Sequence, residues 1–173
     1  MKLKVLDLGC GKKKLEGAFG VDFNKYAGVD LVWDLEKPLP KKFWGKFDKV
    51  YSSSILEHLG NPLNFMKNCR NYLKKGGVLE LTTDNADYFR FHFEHKKITQ
   101  FFGAYHATLW ESQDHNLETQ HKMLFQMKHL ETLTKLAGFK ITERKYVFAN
   151  NVLDRLLPEK FGAIYLSIKA KKN

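Results

Sequence analysis

Glycines and charged residues stand side by side at the end of the first apolar stretch of the chain. Residues 4–8 are typical of a buried parallel strand, and they run directly into a Gly-Cys-Gly motif at residues 9–11. Glycines at the carboxyl end of a first strand let the backbone approach a bound molecule closely. A dinucleotide loop has a third glycine for helix packing, but here Asp7 precedes the turn and Lys14 takes the third position. Because the Asp7 carboxylate would repel a diphosphate, the loop favours a ligand that carries positive charge.

S-adenosylmethionine meets this requirement, because it carries an ammonium and a sulfonium group. Beyond the loop, blocks of the chain resemble, in order, the class I (Rossmann-like) S-adenosylmethionine-dependent methyltransferases, and among them the small type 11 group. The resemblance extends over about residues 1–84 and implies an enzyme, a methyltransferase, with S-adenosylmethionine as its cofactor. The blocks are VLDLGCG at 5–11, GVD at 20–22, DLEKPLP at 34–40, FDKVYSS at 47–53, ILEHL at 55–59 and LKKGGVL at 73–79.

The order of apolar stretches predicts an α/β fold, and the resemblance implies a three-layer, Rossmann-like sheet of seven strands with the last strand reversed. Parallel neighbours usually need a crossover of a dozen or more residues with a helix. Only about ten residues join the first two strands and about seven the next two, so we expect the first two helices to be reduced or missing. Predicted strands lie at 3–8, 19–22, 30–33, 47–52, 78–82, 139–148 and 163–169, and predicted helices at 62–75, ended by two glycines, and 127–137.

We expect residues 1–173 to form a single methyltransferase domain. Aromatic and histidine residues interrupt the periodicity at about residues 85–125, which predicts a mobile, lid-like insertion over the acceptor site. Without its first two helices, one face of the sheet would be bare. Because exposed apolar surface commonly marks an interface, we expect a homodimer.

Composition limits the partners and the location. The 173 residues carry a formal net charge of +10 from 29 lysines and arginines, of which four are arginine. Scattered lysines with few arginines are typical of a solvated surface, so we expect no specific nucleic-acid partner. No apolar run approaches the ~20 residues of a membrane span, and we expect a cytoplasmic protein without a signal peptide. Cys10 and Cys69 form neither a disulfide framework nor a zinc pattern.

Carboxylates at strand ends are the candidate groups for binding the cofactor. Asp22 ends the second predicted strand, where a carboxylate can accept hydrogen bonds from both ribose hydroxyls. The resemblance implies that Asp34 accepts from the adenine amino group, with the Leu35 backbone beside it. An aspartate in a turn also caps its own backbone, and this alternative stays open for Asp22 and Asp34. The predicted cofactor-binding residues are Asp7, Gly9, Cys10, Gly11, Asp22, Asp34, Leu35 and Ser52.

The serines at 52–54 follow the fourth strand, where methyltransferases present the acceptor to the methyl group. The Asn/Asp-Pro-Pro-aromatic motif of enzymes that methylate base amino groups is missing here. Cys10 and Cys69 are also wrongly placed for carbon-5 pyrimidine methylation. Oxygen or nitrogen methylation of a smaller acceptor therefore remains. The resemblance to the type 11 group implies a small-molecule acceptor, of anionic or sugar type. The alternatives are methylation of RNA or protein, and a non-catalytic S-adenosylmethionine-binding module.

Histidines are the candidate bases. His58, after the fourth strand, is our first candidate for the methyl-transfer site, because the ordinary pKa of histidine suits a base near neutral pH. Its alternative role is packing against the cofactor. His115 and His121 lie in the predicted lid and are weaker candidates. His92 and His95 would share one helix face, but the acidic residue between them would not, so we predict no metal site.

Overall fold

The computed structural model describes residues 3–89, 121–149 and 153–173. Its strands are β1 (Val5–Leu8), β2 (Phe19–Asp22), β3 (Leu31–Val32), β4 (Phe47–Ser53), β5 (Leu73–Asp84), β6 (Phe139–Val147) and β7 (Tyr165–Lys172). They form one seven-stranded sheet in the order β3-β2-β1-β4-β5-β7-β6. β7 is antiparallel to β5 and β6, and the other pairs are parallel. The predicted α/β sheet with a reversed last strand is therefore confirmed.

Helices are few in the described part of the chain. They are α1 (Pro62–Tyr72), α2 (Met127–Leu136) and the short α3 (Glu159–Gly162), with 3₁₀ turns at Lys41–Phe43, Leu56–His58 and Leu153–Leu156. The connections at 9–18 and 23–30 are fully described and contain no helix, which confirms the predicted loss of the first two helices. Within the described ranges, no helix is long and apolar enough to cross a membrane.

The C-terminal end of α1 differs from the prediction. The helix ends at Tyr72 and not at Lys75, because amides of the loop at 45–46 donate to the carbonyls of Asn71 and Tyr72 over 2.9 and 3.0 Å. Leu73 then enters β5 with its side chain fully buried. The glycine pair that was expected to end the helix lies inside β5.

One face of the sheet carries the main apolar core. Alternate residues of β5 and β7 point into this core, among them Leu79, Leu81, Leu166 and Ile168, each at most 1% exposed. Helices α1 and α2 contact each other and cover this face. Because successive side chains of a strand alternate, the residues between them lie on the opposite face.

The opposite face is charged where the sequence analysis expected an apolar surface. Across the sheet, Tyr51 lies next to Glu80, Glu80 next to Lys169, and Lys169 next to Glu143. The Nζ atom of Lys49 lies 2.5 Å from Glu80, and that of Lys169 lies 3.3 Å from Glu143. Such pairs are compatible with solvent, so the described residues of this face need no apolar cover. The homodimer stays a prediction without the apolar face that motivated it.

The ends of the predicted lid belong to the packed body of the domain. Asn85 forms a parallel β-bridge with Phe125, and the amide of Ala86 donates to the carbonyl of Phe125 over 2.9 Å. The side chains of Tyr88 and Phe125 are 4% and 0% exposed. Residues 90–120, with His92, His95 and His115, lie outside the described residues.

We predict that Tyr72→Phe lowers the free energy of unfolding by about 1–2 kcal/mol. The hydroxyl oxygen of Tyr72, which is 2% exposed, accepts from the amide of Leu39 over 2.7 Å, so its removal leaves a buried amide unpaired. Urea denaturation measures the difference. Tyr51→Phe on the charged face is the matched control and should change stability by less than about 0.5 kcal/mol. Equal losses in both variants would contradict the assigned role of the Tyr72 hydroxyl.

Candidate functional site

A cavity of about 500 Å³ opens at the carboxyl ends of β1, β2 and β4. The strand order reverses at β1, which has β2 on one side and β4 on the other, and ligands of open α/β sheets bind at such a point. The volume lies in the range of small-molecule and cofactor sites. Its lining residues are Gly9, Gly11, Asp22, Phe23, Asn24, Tyr26, Asp34, Leu35, Glu36, Ser54, Ile55, His58, Leu59 and Lys122.

Gly9 and Gly11 require glycine for different physical reasons. Gly9 has φ +73°, and a Cβ at this position would lie 2.0 Å from Cγ1 of Ile55. Gly11 has φ +52°, and a Cβ there would have no atom within 4 Å. Gly9 therefore permits close packing against Ile55, whereas Gly11 leaves open space on the cavity wall.

Asp22 joins the glycine loop to the end of β2. Its Oδ2 accepts from the amide of Gly11 over 2.8 Å, and its Oδ1 accepts from the amide of Asn24 over 2.9 Å. A carboxylate offers about four acceptor positions, so two remain for hydroxyl groups of a ligand. The turn role and the ligand role that were open for Asp22 are thus compatible.

Asp34 and Leu35 line the cavity from a turn that follows β3. Oδ1 of Asp34 accepts from the amide of Glu36 over 3.0 Å, and Oδ2 lies 3.2 Å from Nζ of Lys37. The turn-capping role that the sequence left open for Asp34 is therefore present. Because β3 ends at Val32, Asp34 does not lie directly at a strand end as predicted.

Three predicted cofactor residues, Asp7, Cys10 and Ser52, are buried behind the loop and are not among those that line the cavity. Asp7 is 2% exposed, and its Oδ2 accepts from the amide of Leu15 over 2.8 Å. Burial raises the pKa of the Asp7 carboxyl, and the hydrogen bond from the amide of Leu15 offsets part of this rise. Burial also raises the pKa of the Cys10 thiol to about 11. Asp7 thus holds the loop backbone through Leu15, and its role in binding the cofactor stays a prediction.

Ser54 takes the cavity position that the sequence analysis assigned to Ser52. Strand β4 continues to Ser53, one residue beyond its predicted end, and Ser52 is 1% exposed on the helical side of the sheet. Ser54 follows the strand with φ +52°, unusual for a residue other than glycine, and lines the cavity. The three consecutive serines signalled the segment but not which of them faces the ligand.

The lysine in the third-glycine position is tied to the protein. Nζ of Lys14 lies 2.7 Å from Oδ2 of Asp30, which also accepts from the amide of Gly20 over 2.7 Å. This amide and Lys14 lower the pKa of Asp30. A Cβ on Gly20 would lie 2.4 Å from Cδ of Lys14, so only glycine at this position leaves room for the aliphatic part of the Lys14 side chain. Lys14 therefore braces the loop against β2.

His58 and His121 meet at one end of the cavity. His58 lies in the 3₁₀ turn after β4 and lines the cavity, and the ring centroids of the two histidines are 4.6 Å apart at 74°. The carbonyl of Glu57 accepts from the amides of Lys122 and Met123 over 2.7 and 3.1 Å. These two hydrogen bonds place His121 against the turn, a contact between distant segments that sequence spacing does not signal.

Two buried carboxyl groups lie behind the histidine pair. Glu57 is 0% exposed, and its Oε2 accepts from the hydroxyl of Thr83 over 2.7 Å. Oδ2 of Asp84 lies 3.2 Å from Nδ1 of His121. Burial, together with Asp84, raises the pKa of Glu57 to about 8, and burial raises that of Asp84 to about 6. Burial and the neighbouring His58 lower the pKa of His121 to about 4.

Comparison with known proteins agrees with this geometry. The sequence model of a family described as "Methyltransferase domain" matches residues 2–144. The chain belongs to the class I S-adenosylmethionine-dependent methyltransferases. The same fold occurs in an S-adenosylmethionine-dependent methyltransferase from Archaeoglobus fulgidus, with a TM-score of 0.71, 17% identity, and coverage of 98% of this chain and 86% of that one.

Curated relatives in this methyltransferase family match only part of the chain. A ubiquinone biosynthesis O-methyltransferase of Histophilus somni (strain 2336) is 29% identical over 110 residues, covering 49% of this chain and 46% of that protein. One from Xanthomonas campestris pv. campestris (strain B100) is 30% identical over 103 residues, covering 47% and 43%. The chain thus spans less than half the length of these relatives.

One methyltransferase structure shares the fold and contains ligands. It is the Burkholderia thailandensis 1,6-didemethyltoxoflavin-N1-methyltransferase with bound 1,6-didemethyltoxoflavin and S-adenosylhomocysteine. It matches with a TM-score of 0.65 and 15% identity over 99% of this chain and 71% of that one.

We predict that Gly9→Ala costs more stability than Gly45→Ala. Both glycines have positive φ, +73° and +62°, so alanine adds a backbone cost of about 1 kcal/mol at each. Only at Gly9 would the new Cβ meet a packed side chain, that of Ile55, which adds about 1–3 kcal/mol. Urea denaturation compares the two variants, and equal losses would exclude the Ile55 contact as the reason for Gly9.

We predict that Glu57 makes the domain less stable as the pH rises from 6.5 to 8. In this range the unfolded carboxyl is ionised, whereas the folded one, with its pKa raised to about 8, still holds its proton. Stability therefore falls with rising pH, by at most about 1.4 kcal/mol per pH unit. Folded His121 is neutral, with its pKa lowered to about 4, whereas the unfolded side chain is partly protonated near pH 6.5, so its opposing contribution fades as the pH approaches 8.

Urea denaturation in a chelating buffer at both ends of this pH range measures the slope. Glu57→Gln should remove it, and Glu143→Gln on the charged face should keep it. A wild-type slope that survives in Glu57→Gln would show that another group causes it.

Proposed function

We propose that the chain is an S-adenosylmethionine-dependent methyltransferase that transfers a methyl group to an oxygen or nitrogen of a small-molecule acceptor. The observation that carries this proposal is the cavity at the ends of β1, β2 and β4 in a chain of this family. It brings together six of the predicted site residues, namely Gly9, Gly11, Asp22, Asp34, Leu35 and His58.

The lining of the cavity fits the cofactor part by part. Asp22 keeps acceptor positions for the two ribose hydroxyls, and Asp34 with Leu35 lies beside it for the adenine. The open space at Gly11 gives the methionine portion room against the backbone. Asp7, Cys10 and Ser52 are buried outside the cavity, and we assign them the role of holding the loop and β4 in position.

Methyl transfer needs little covalent chemistry from the protein, because the methyl group on the sulfonium of the cofactor is already activated. The protein supplies proximity, alignment and, for a hydroxyl or protonated amine, a base. His58 lines the cavity at the end where the serines follow β4, so we assign it to the methyl-transfer site. A neutral imidazole there can take the proton that the acceptor loses.

The names of the curated relatives favour oxygen as the accepting atom, since both are O-methyltransferases. Lys122 lines the same end of the cavity and would attract an acceptor of anionic or sugar type. Its Nζ lies 3.8 Å from Glu36, which keeps it near the cavity wall. The buried free thiols of Cys10 and Cys69 accord with a cytoplasmic location, which we also propose.

Asp22→Asn should weaken binding of S-adenosylhomocysteine by roughly tenfold or more, because the ribose hydroxyls lose a charged acceptor. The amide oxygen of asparagine keeps one of the two hydrogen bonds from the loop, and urea denaturation verifies that the variant is folded. Isothermal calorimetry measures the affinity. Asp48→Asn, at the amino end of β4 and away from the cavity, is the control. If Asp22→Asn binds as tightly as wild type, the ribose assignment is wrong. NAD should give no measurable binding.

Transfer of labelled methyl groups to panels of small hydroxyl and amine compounds, and to RNA, tests the acceptor class. We expect turnover with a small anionic or sugar-type acceptor and its loss in His58→Gln, with S-adenosylhomocysteine affinity kept. His129→Gln on α2 is the control. Any RNA binding should fall steeply with salt, because counterions are released. A sequence-specific RNA complex that survives physiological salt would favour the RNA alternative.

A further inference from the structure

Two histidines and a buried carboxylate converge beside the acceptor end of the cavity. One possible ligand atom from each of Glu57, His58 and His121 lies within 4.8 Å of the others. We propose that these three side chains form a binding site for one divalent transition-metal ion, with Asp84 as the outer partner of His121. We predicted no metal site from the sequence, because neither the two cysteines nor the histidines at 92 and 95 have the spacing of metal ligands.

The backbone brings the three ligands together from two distant segments. Glu57 and His58 are consecutive in the 3₁₀ turn that follows β4. The carbonyl of Glu57 accepts from the amides of Lys122 and Met123, which fixes the residue just before them, His121, against this turn. Ligands held about 2.1 Å from one ion in tetrahedral geometry lie about 3.4 Å from each other, so closing the site would take side-chain movements of about 1 Å.

Asp84 gives His121 the geometry of a metal ligand. Its Oδ2 lies 3.2 Å from Nδ1 of His121. Histidines that bind metal commonly donate their second ring N–H to a carboxylate, which fixes the tautomer and leaves the other nitrogen for the ion. The 3.2 Å separation does not yet have hydrogen-bond geometry, and a small turn of the ring that directs Nδ1–H at Asp84 would leave Nε2 of His121 as the ligand atom.

Glu57 supplies an observation that points to an ion. Its side chain is fully buried, and Oε2 accepts from Thr83 over 2.7 Å. Within the described ranges, Oε1 has no hydrogen-bond partner. A buried carboxylate oxygen without a partner costs free energy. A bound cation would displace the carboxyl proton to solvent, give Oε1 a partner and compensate the negative charge that is left.

The ligand chemistry selects the kind of ion. Two imidazoles and one carboxylate suit Zn²⁺, Mn²⁺, Fe²⁺ or Co²⁺, whereas Mg²⁺ and Ca²⁺ prefer oxygen ligands throughout. Three protein ligands leave coordination positions open, and His58 lines the cavity. This use of the site rests on the proposed function: an acceptor hydroxyl bound to the ion would have a lower pKa. His58 would then serve as a ligand and would not need to take the proton.

Titration of the chelator-treated full chain with Co²⁺ tests the site, because bound Co²⁺ has visible absorption bands that report its ligands. We expect one saturable ion per chain, displaced by Zn²⁺. Affinity should fall at least tenfold in His121→Gln and in Glu57→Gln, and about tenfold in Asp84→Asn. His129→Gln should bind like wild type. Circular dichroism verifies that each variant is folded, and if Glu57→Gln is not, His121→Gln decides.

The failure of this proposal differs from a failure of the proposed function. S-adenosylhomocysteine affinity is measured by calorimetry on the same samples. Wild type that binds S-adenosylhomocysteine but no Co²⁺ would overturn the metal site alone. Co²⁺ affinity that is unchanged in folded His121→Gln would place any bound ion elsewhere and also overturn it. Co²⁺ binding without S-adenosylhomocysteine binding would keep the metal site and overturn the proposed cofactor.

Discussion

Hydrogen bonds from backbone amides to aspartate carboxylates hold the ligand loops of this domain where helices are missing. Asp7 accepts from Leu15, Asp22 from Gly11, and Asp30 from Gly20, all over 2.7–2.8 Å. Hydrogen bonds to ionised acceptors are stronger than those between neutral groups, so a few of them can fix short connections. The cavity, the position of Asp22 and the path of Lys14 all depend on this arrangement.

The sequence was sufficient for the features that are local. Apolar stretches located the strands of the first half, and the short connections predicted the missing helices. The side that a residue faces was harder to predict, because Ser52 lies within β4 with its side chain buried, and Ser54, the first residue after the strand, lines the cavity. The sequence of a buried strand also does not reveal which amide a carboxylate will meet, as the hydrogen bond from Leu15 to Asp7 shows.

Features that depend on contacts between distant segments could not be predicted. Helix α1 ends where amides of residues 45–46 reach its last carbonyls, and this pairing of separate segments overrides the glycine signal. The meeting of His58 with His121 likewise depends on two hydrogen bonds to the carbonyl of Glu57. The charged face of the sheet required knowledge of cross-strand neighbours, such as Glu80 beside Lys169.

The bridge between Asn85 and Phe125 makes the segment between them a separable unit of the chain. The two ends of this segment are adjacent and hydrogen-bonded. Adding residues between them therefore has only a small entropic cost, because the cost of closing a loop grows slowly with its length. Residues 90–120 can therefore vary in length and composition with little strain on the strands. The fold thus separates the sheet and its cavity from a segment that could be exchanged between these two anchors without altering the strands.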